Sequence, residues 1–169
     1  HTVGPNRHAG QTEESLLASC FTRALDVAVG LGVGSIAFPE IGAGVYGWSA
    51  ADASRIAVGA VAAHPKSGID LVRFVLFNES LYRAFVAELA ARLAPGGLLI
   101  LSTPNRTLLS KLLLVEAAER VGAVPRGTHD WDQFLKPEEL TALMEGAGLQ
   151  VVDRTGLSPS PARGFKLGG

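Results

Sequence analysis

Short apolar runs of strand length alternate along this chain with stretches of helical periodicity, and that alternation limits the fold more than any other feature. SIAFPEI (35–41), LVRFVLFN (71–78) and LLILSTP (98–104) are brief, mostly apolar and bounded by turn formers, as buried strands are. HTVGP at the start reads as the tail of a further strand. Between these runs stand three helical patterns. QTEESLLASCFTRALDVAVGLG carries Leu16, Leu17, Cys20, Phe21, Leu25 and Val29 at helical spacing, with Thr12 placed as N-cap and Glu13 and Glu14 in the first turn. The second helix runs from about Ser49 to His64 and stops at Pro65, and the third, SLYRAFVAELAARL, takes Ser80 as cap and stops at Pro95-Gly96-Gly97. Strand and helix in strict turn predict an α/β class: a single three-layer, Rossmann-like domain with a mainly parallel sheet and helices on both faces.

Beyond Asn105 the rhythm loosens. A helix is expected over Thr107 to Gly122, then the irregular stretch VPRGTHDWDQFL, then a compact helix in KPEELTALMEGAG with Pro137 in its first turn and Gly148 at its end. LQVVDRTGL (149–157) supplies one more expected strand, and SPSPARGFKLGG trails off in turn formers. No internal repeat or low-complexity linker divides the 169 residues, a length that suits one domain with its own core.

Charge narrows the partners. Fifteen basic residues against 16 acidic ones leave a net charge of -1, which offers nucleic acid no electrostatic footprint and leaves an anionic ligand to backbone dipoles. A lone cysteine, Cys20, lies in a helical pattern, so a disulfide framework and a Cys-rich zinc site are both excluded and no metal is expected. Neither a secretory signal nor an apolar run of bilayer-crossing length is present, so a cytoplasmic, small-molecule-binding protein without a transmembrane segment is the expectation. A chain that opens on His rather than Met is expected to be a fragment or a processed product.

The string GAGVYG (42–47) falls between the strand SIAFPEI and the following helix, where glycines let backbone N–H groups approach a phosphate. A dinucleotide fingerprint needs an acidic side chain at the end of the next strand. Asp70 precedes that strand, Glu79 follows it, and Asn78 stands where the carboxylate is wanted, which weakens both the dinucleotide and the S-adenosylmethionine readings. On the glycines alone, an ordinary strand-to-helix turn is an equal alternative.

The flanks add a resemblance. HTVGP, a long helix, SIAFPEIGAGVYGWSAADASRIA and VRFVLFNESLYRAF together resemble the second half of a macro domain, the ADP-ribose-binding module that includes the O-acetyl-ADP-ribose deacetylases. The resemblance implies that Ile41, Gly42, Ala43, Gly44, Val45, Tyr46 and Gly47 wrap a diphosphate with backbone N–H groups, that Tyr46 lies over the distal ribose, and that Phe77, beside Asn78, packs next to adenine. In that family the adenine-recognising Asp and the water-positioning Asn and Asp lie upstream of the HTVGP strand, so the deacetylase machinery is expected to be missing.

From about Ala90 the sequence looks like a different family. PGGLLILSTP is generic to class I methyltransferases, whereas STPNRT and GTHDWDQFLKPEEL resemble the C-terminal half of the ubiquinone-biosynthesis O-methyltransferases. That resemblance implies S-adenosylmethionine as cofactor, held by an N-terminal half with no counterpart here. Thr128, His129, Asp130 and Trp131 are the residues to inspect: His129 beside Asp130 as a weak catalytic pair for a phenolic hydroxyl, Trp131 as pocket lining. The favoured alternative has Thr128 and Asp130 bonding loop backbone and Trp131 filling core. SKLLLVEAAERV reads equally as a packed helix or, with a quinone substrate, as a peripheral membrane contact. The expected division is therefore 1–89 as partial macro domain and 90–169 as partial methyltransferase, joined within SLYRAFVAELAARL into one globular unit. Three functional readings follow: an incomplete ADP-ribose-type binding module, an O-methyltransferase without its cofactor half, and a folded chain with no ligand.

Overall fold

A computed structural model of the chain describes residues 2–65, 67–103, 106, 134–160 and 164–168, the last two stretches giving backbone alone from 157 onward. Its elements run in the order α1 (Glu14–Gly30), β1 (Ser35–Pro39), α2 (Ala50–Ala63), β2 (Leu71–Val75), α3 (Glu79–Ala90), α4 (Pro137–Gly146), β3 (Gly156–Ser160) and β4 (Gly164–Gly168). Short 3-10 turns cover Arg7–Ala9 and Gly44–Tyr46. The class is α/β, and β1 pairs with β2 in parallel, Ser35 opposite Leu71 and Pro39 opposite Val75.

Each helix forms for a visible reason. Leu17, Cys20, Phe21, Leu25 and Ala28 fall on one buried stripe of α1. Ser49 caps α2, its hydroxyl accepting from Asp52 N–H at 3.0 Å, and the helix ends at His64 because the residue before Pro65 is steered out of the helical region. In α4 Pro137 sits at the start as expected, and the Glu139 carboxylate reaches back to the Lys136 N–H at 2.9 Å.

Two caps differ from expectation. Thr12 is not the cap of α1; the helix begins one residue later, behind Glu13, with no side-chain bond to its first turn. Asn78, not Ser80, caps α3: its side-chain oxygen accepts from Leu81 N–H at 2.9 Å. Asn is as strong a cap as Ser, and the strand leaves Asn78 extended, which is the backbone a cap requires.

The core joins the helices to the strands. Leu17, Phe21 and Leu25 of α1, Ile56, Ala57 and Val61 of α2 and Leu81 and Phe85 of α3 gather over Phe38 of β1, with Ile36, Val72, Phe74 and Leu76 packed against them. Four aromatic rings form a chain through this layer: Phe21 to Phe38 at 5.2 Å between centroids, Phe38 to Phe74 at 6.1 Å and Phe74 to Phe85 at 4.9 Å. Each such pair contributes about 0.5–1.5 kcal/mol beyond the area it buries.

Strand burial departs from the two-sided pattern. Exposure alternates along β1 and β2, so one face meets the helices and the other does not. Among the described residues, helical cover lies on that single face; Leu71, Val75 and Phe77 on the other side are 46%, 54% and 64% exposed.

The outer runs also differ. Residues 98–103, expected as strand, have no strand partner among the described residues, and Leu98 and Ile100 are 67% and 82% exposed. Thr2–Pro5 are likewise outside any strand, though Gly4 and Pro5 are buried. The expected strand at 149–157 begins only at Gly156 and pairs antiparallel with Gly164–Gly168, inside the stretch expected to trail off. A strand is a pairing, and apolar composition without a ladder partner does not make one.

Candidate functional site

Because β1 and β2 are parallel and in register, both chains leave the sheet at the same end, Pro39 beside Val75. Ligands of open α/β sheets lie at that carboxyl end. The topology thus brings the segment 40–48 and the segment 76–78 to one rim.

The glycines of GAGVYG all have left-handed backbone: φ is 96° at Gly42, 69° at Gly44 and 80° at Gly47. Two of them are also crowded. A Cβ on Gly42 would meet Leu17 Cδ1 and Trp48 Cδ1 at 3.1 Å, and one on Gly47 would stand 2.7 Å from His8 Nε2. Gly44 faces open space and Val45 is 85% exposed, so the crest of the loop is bare. Gly47 N–H donates to Gly44 O at 3.1 Å and Trp48 N–H to Gly42 O at 3.2 Å, which closes the loop on itself. Gly44 and Val45 open the 3-10 turn, where the first N–H groups have no intrahelical acceptor. Tyr46 is partly buried against the core, and Ile41 and Ala43 pack there as well.

Residues outside the motif fix its base. Trp48 is 3% exposed and its indole N–H donates to Pro5 O at 2.9 Å, tying the first residues to the loop. The Arg7 guanidinium lies 4.4 Å from the Trp48 ring centroid and pairs with Asp52 at 3.2 Å. Asp52 also accepts from Arg55, and its carboxyl is held below the usual range, chiefly through its bond with Ser49 and then by the arginines. At the other side of the loop, Glu40 folds back so that its carboxylate accepts from Ala43 N–H. Burial pushes the Glu40 carboxyl up, against the opposing pull of that N–H.

Of the residues singled out in sequence, Ile41 to Gly47 form one continuous turn, and Phe77 and Asn78 leave the same sheet end, Phe77 exposed and Asn78 engaged as helix cap. His129, Asp130, Thr128 and Trp131 lie outside the described residues. Sequence reasoning missed Glu40, Arg7, His8 and Trp48. Trp48 follows the glycine string directly and Glu40 precedes it across Ile41, so an indole and an acid near its two ends were the available signals; nothing local announced Arg7 or His8. Two shallow hollows lie elsewhere: one between Thr2–Val3 and the Leu16–Val27 side of α1, the other between Glu14–Ala18 and Arg55–Ala60. No group of three or more metal-ligating side chains occurs among the described residues.

The chain has similar proteins of known family. Residues 1–57 match the macro domain family. A macro domain-containing protein of Streptomyces griseus is 47% identical over 92 residues, covering 54% of this chain and 52% of its own length. The macrodomain of Oceanobacillus iheyensis solved with ADP superposes with a TM-score of 0.50 at 34% identity, covering 54% of this chain and 49% of its own. A ubiquinone biosynthesis O-methyltransferase of Methylobacterium nodulans is 49% identical over 82 residues, 48% of this chain and 33% of its own length. The chain thus spans about half the length of its macro domain relatives and a third of that methyltransferase. The macro-domain match takes in α1, β1, the glycine loop and the first half of α2, and so contains the whole of GAGVYG. No helix among the described residues is long and apolar enough to cross a membrane.

Proposed function

We propose that this chain binds a nucleotide diphosphate of the ADP-ribose type at the loop Ile41–Gly47. The observation that carries the reading is the loop itself: three left-handed glycines at the carboxyl end of a parallel strand pair, crest open, within the stretch that matches the macro domain family. A diphosphate held by several N–H donors needs no lysine or arginine in the loop, in keeping with a chain of net charge -1. The ADP present in the Oceanobacillus macrodomain supports the same ligand class. In this reading Tyr46 lies over the distal ribose and the exposed Phe77 receives the adenine. Ester hydrolysis is a further step for which the described residues supply no assigned base.

Calorimetric titration of the 169-residue chain with ADP-ribose tests the proposal, and Gly44→Val is its sharpest variant. A branched side chain at φ 69° is strained and fills the space through which the phosphate approaches, so saturable heat in the parent and none in the variant is expected. Equal binding by both sinks the loop assignment.

The likeness to the Methylobacterium methyltransferase supports a second reading, S-adenosylmethionine-dependent O-methylation, with His129 and Asp130 as its weak catalytic pair. S-adenosylhomocysteine titrated in parallel separates the two: heat with it alone favours methyl transfer. We also propose the division at residues 89 and 90, which falls in the last turn of α3, with both parts folding as one unit. A single thermal transition supports that unit, and two resolved transitions count against it.

A further inference from the structure

The loop already holds an anion, and the anion is its own. Glu40 is the first residue after β1, and its carboxylate turns back to accept the N–H of Ala43, the residue between Gly42 and Gly44. One backbone donor of the turn is therefore occupied by an oxyanion in the manner of a bound phosphate oxygen. No ion pair to Glu40 is found among the described residues; the cations near the loop base are engaged elsewhere, Arg7 with Asp52 and Arg55 with Glu14 and Asp52. Glu40 is half-buried, and the raised value of its carboxyl means that lost hydration outweighs what the single N–H returns. A carboxylate so held is poised to leave when a better-solvated arrangement is offered.

We infer that Glu40 is a specificity-determining residue of the loop: its carboxylate competes for the Ala43 amide, so a diphosphate binds only by turning Glu40 out. The inference rests on the proposed reading of Ile41–Gly47 as the diphosphate site. Two effects combine. The ligand must displace an existing hydrogen bond, and a negative charge left at the rim repels the incoming phosphates through a partly dry medium. Glu40 thereby weakens every anion at the loop and weakens the more highly charged ones most.

The test compares the parent chain with Glu40→Gln, which keeps an oxygen acceptor for Ala43 but removes the charge, using ADP-ribose and inorganic pyrophosphate as probes in calorimetry. Glu40→Gln is expected to bind both at least about tenfold more tightly, with the larger gain for pyrophosphate, the probe of higher charge density. Equal affinities, or weaker binding by the variant, overturn the inference while leaving the loop reading intact. Silence from both chains with both probes removes the loop reading and this inference with it. Should Glu40→Gln fail to melt cooperatively, the Ala43 amide resonance of the parent reads the same contact. It is expected to shift at saturating pyrophosphate as the carboxylate departs, and an unmoved resonance at saturation overturns the inference.

Discussion

The two faces of the β1–β2 sheet both carry apolar side chains yet have opposite fates, and Ser35 and Arg73 lie on the open one. On one, Ile36, Phe38, Val72 and Phe74 lie under α1, α2 and α3; on the other, Leu71, Val75 and, just beyond the strand, Phe77 stand open. Both faces are drawn from the same five-residue strands. Strand sequence sets which side chains share a face, through the two-residue period, but what covers a face is decided by the connections that return over it. The crossover through α2 brings its helix back over the even-numbered side, and α1 and α3 join it there.

The largest expected effect strikes the centre of the covered face. Phe21, 1% exposed and in edge contact with Phe38 and Phe74, should cost about 3–5 kcal/mol when replaced by alanine, read as a lowered urea midpoint. A cost near zero would mean that the covered face is no better packed than the open one. Next is the cap that starts α3. Asn78→Ala should lose about 1 kcal/mol and Asn78→Ser most of nothing, since Ser can take the Leu81 N–H in the same way. Equal losses in the two variants would locate the importance of Asn78 outside capping.

Tyr82 sharpens the comparison by titration. It lies on α3, with its hydroxyl donating to Ser102 O at 3.3 Å, and burial pushes its phenol from 10.0 up to about 12. The unfolded chain gives up this proton first, so stability falls as pH rises from the ordinary value towards the raised one. Phenolate absorbance of the parent against Tyr82→Phe should show Tyr82 titrating late, and ionisation of Tyr82 itself near 10 would mean that residues around Ser102 leave the ring wet. The smallest effect belongs to the open face: Val75→Ser should change stability by no more than about 0.5 kcal/mol. A loss several times larger, above all one that grows with protein concentration, would break the comparison by showing that this face is covered in solution.

Much of the fold was legible where the cause is local. The start of α2 near Ser49, the stop before Pro65, Pro137 at the head of α4 and the buried stripe of α1 follow from single residues and their spacing. Legibility failed where a partner was needed. LLILSTP has the composition of β1 and β2 but lacks a ladder neighbour among the described residues, whereas Gly156–Ser160, with two serines and a proline, is a strand because Gly164–Gly168 runs back beside it. The site divides in the same way. GAGVYG gave away its left-handed glycines, because only glycine adopts those angles freely. The clamp of Trp48 on Pro5, 43 residues apart, and the stacking of Arg7 on that indole had no local trace.

By itself, then, the sequence determined the α/β alternation, the stop before Pro65, the place of Pro137 at the head of α4 and the turn at 42–47, all of which depend on backbone preference or on contacts a few residues apart. Only the tertiary structure decided that α1, α2 and α3 gather over one sheet face, that β1 pairs with β2, which other apolar runs become strands and how Trp48 clamps Pro5. Those outcomes turn on which distant segments meet, and a short-range pattern carries no record of a meeting that the folded chain alone brings about.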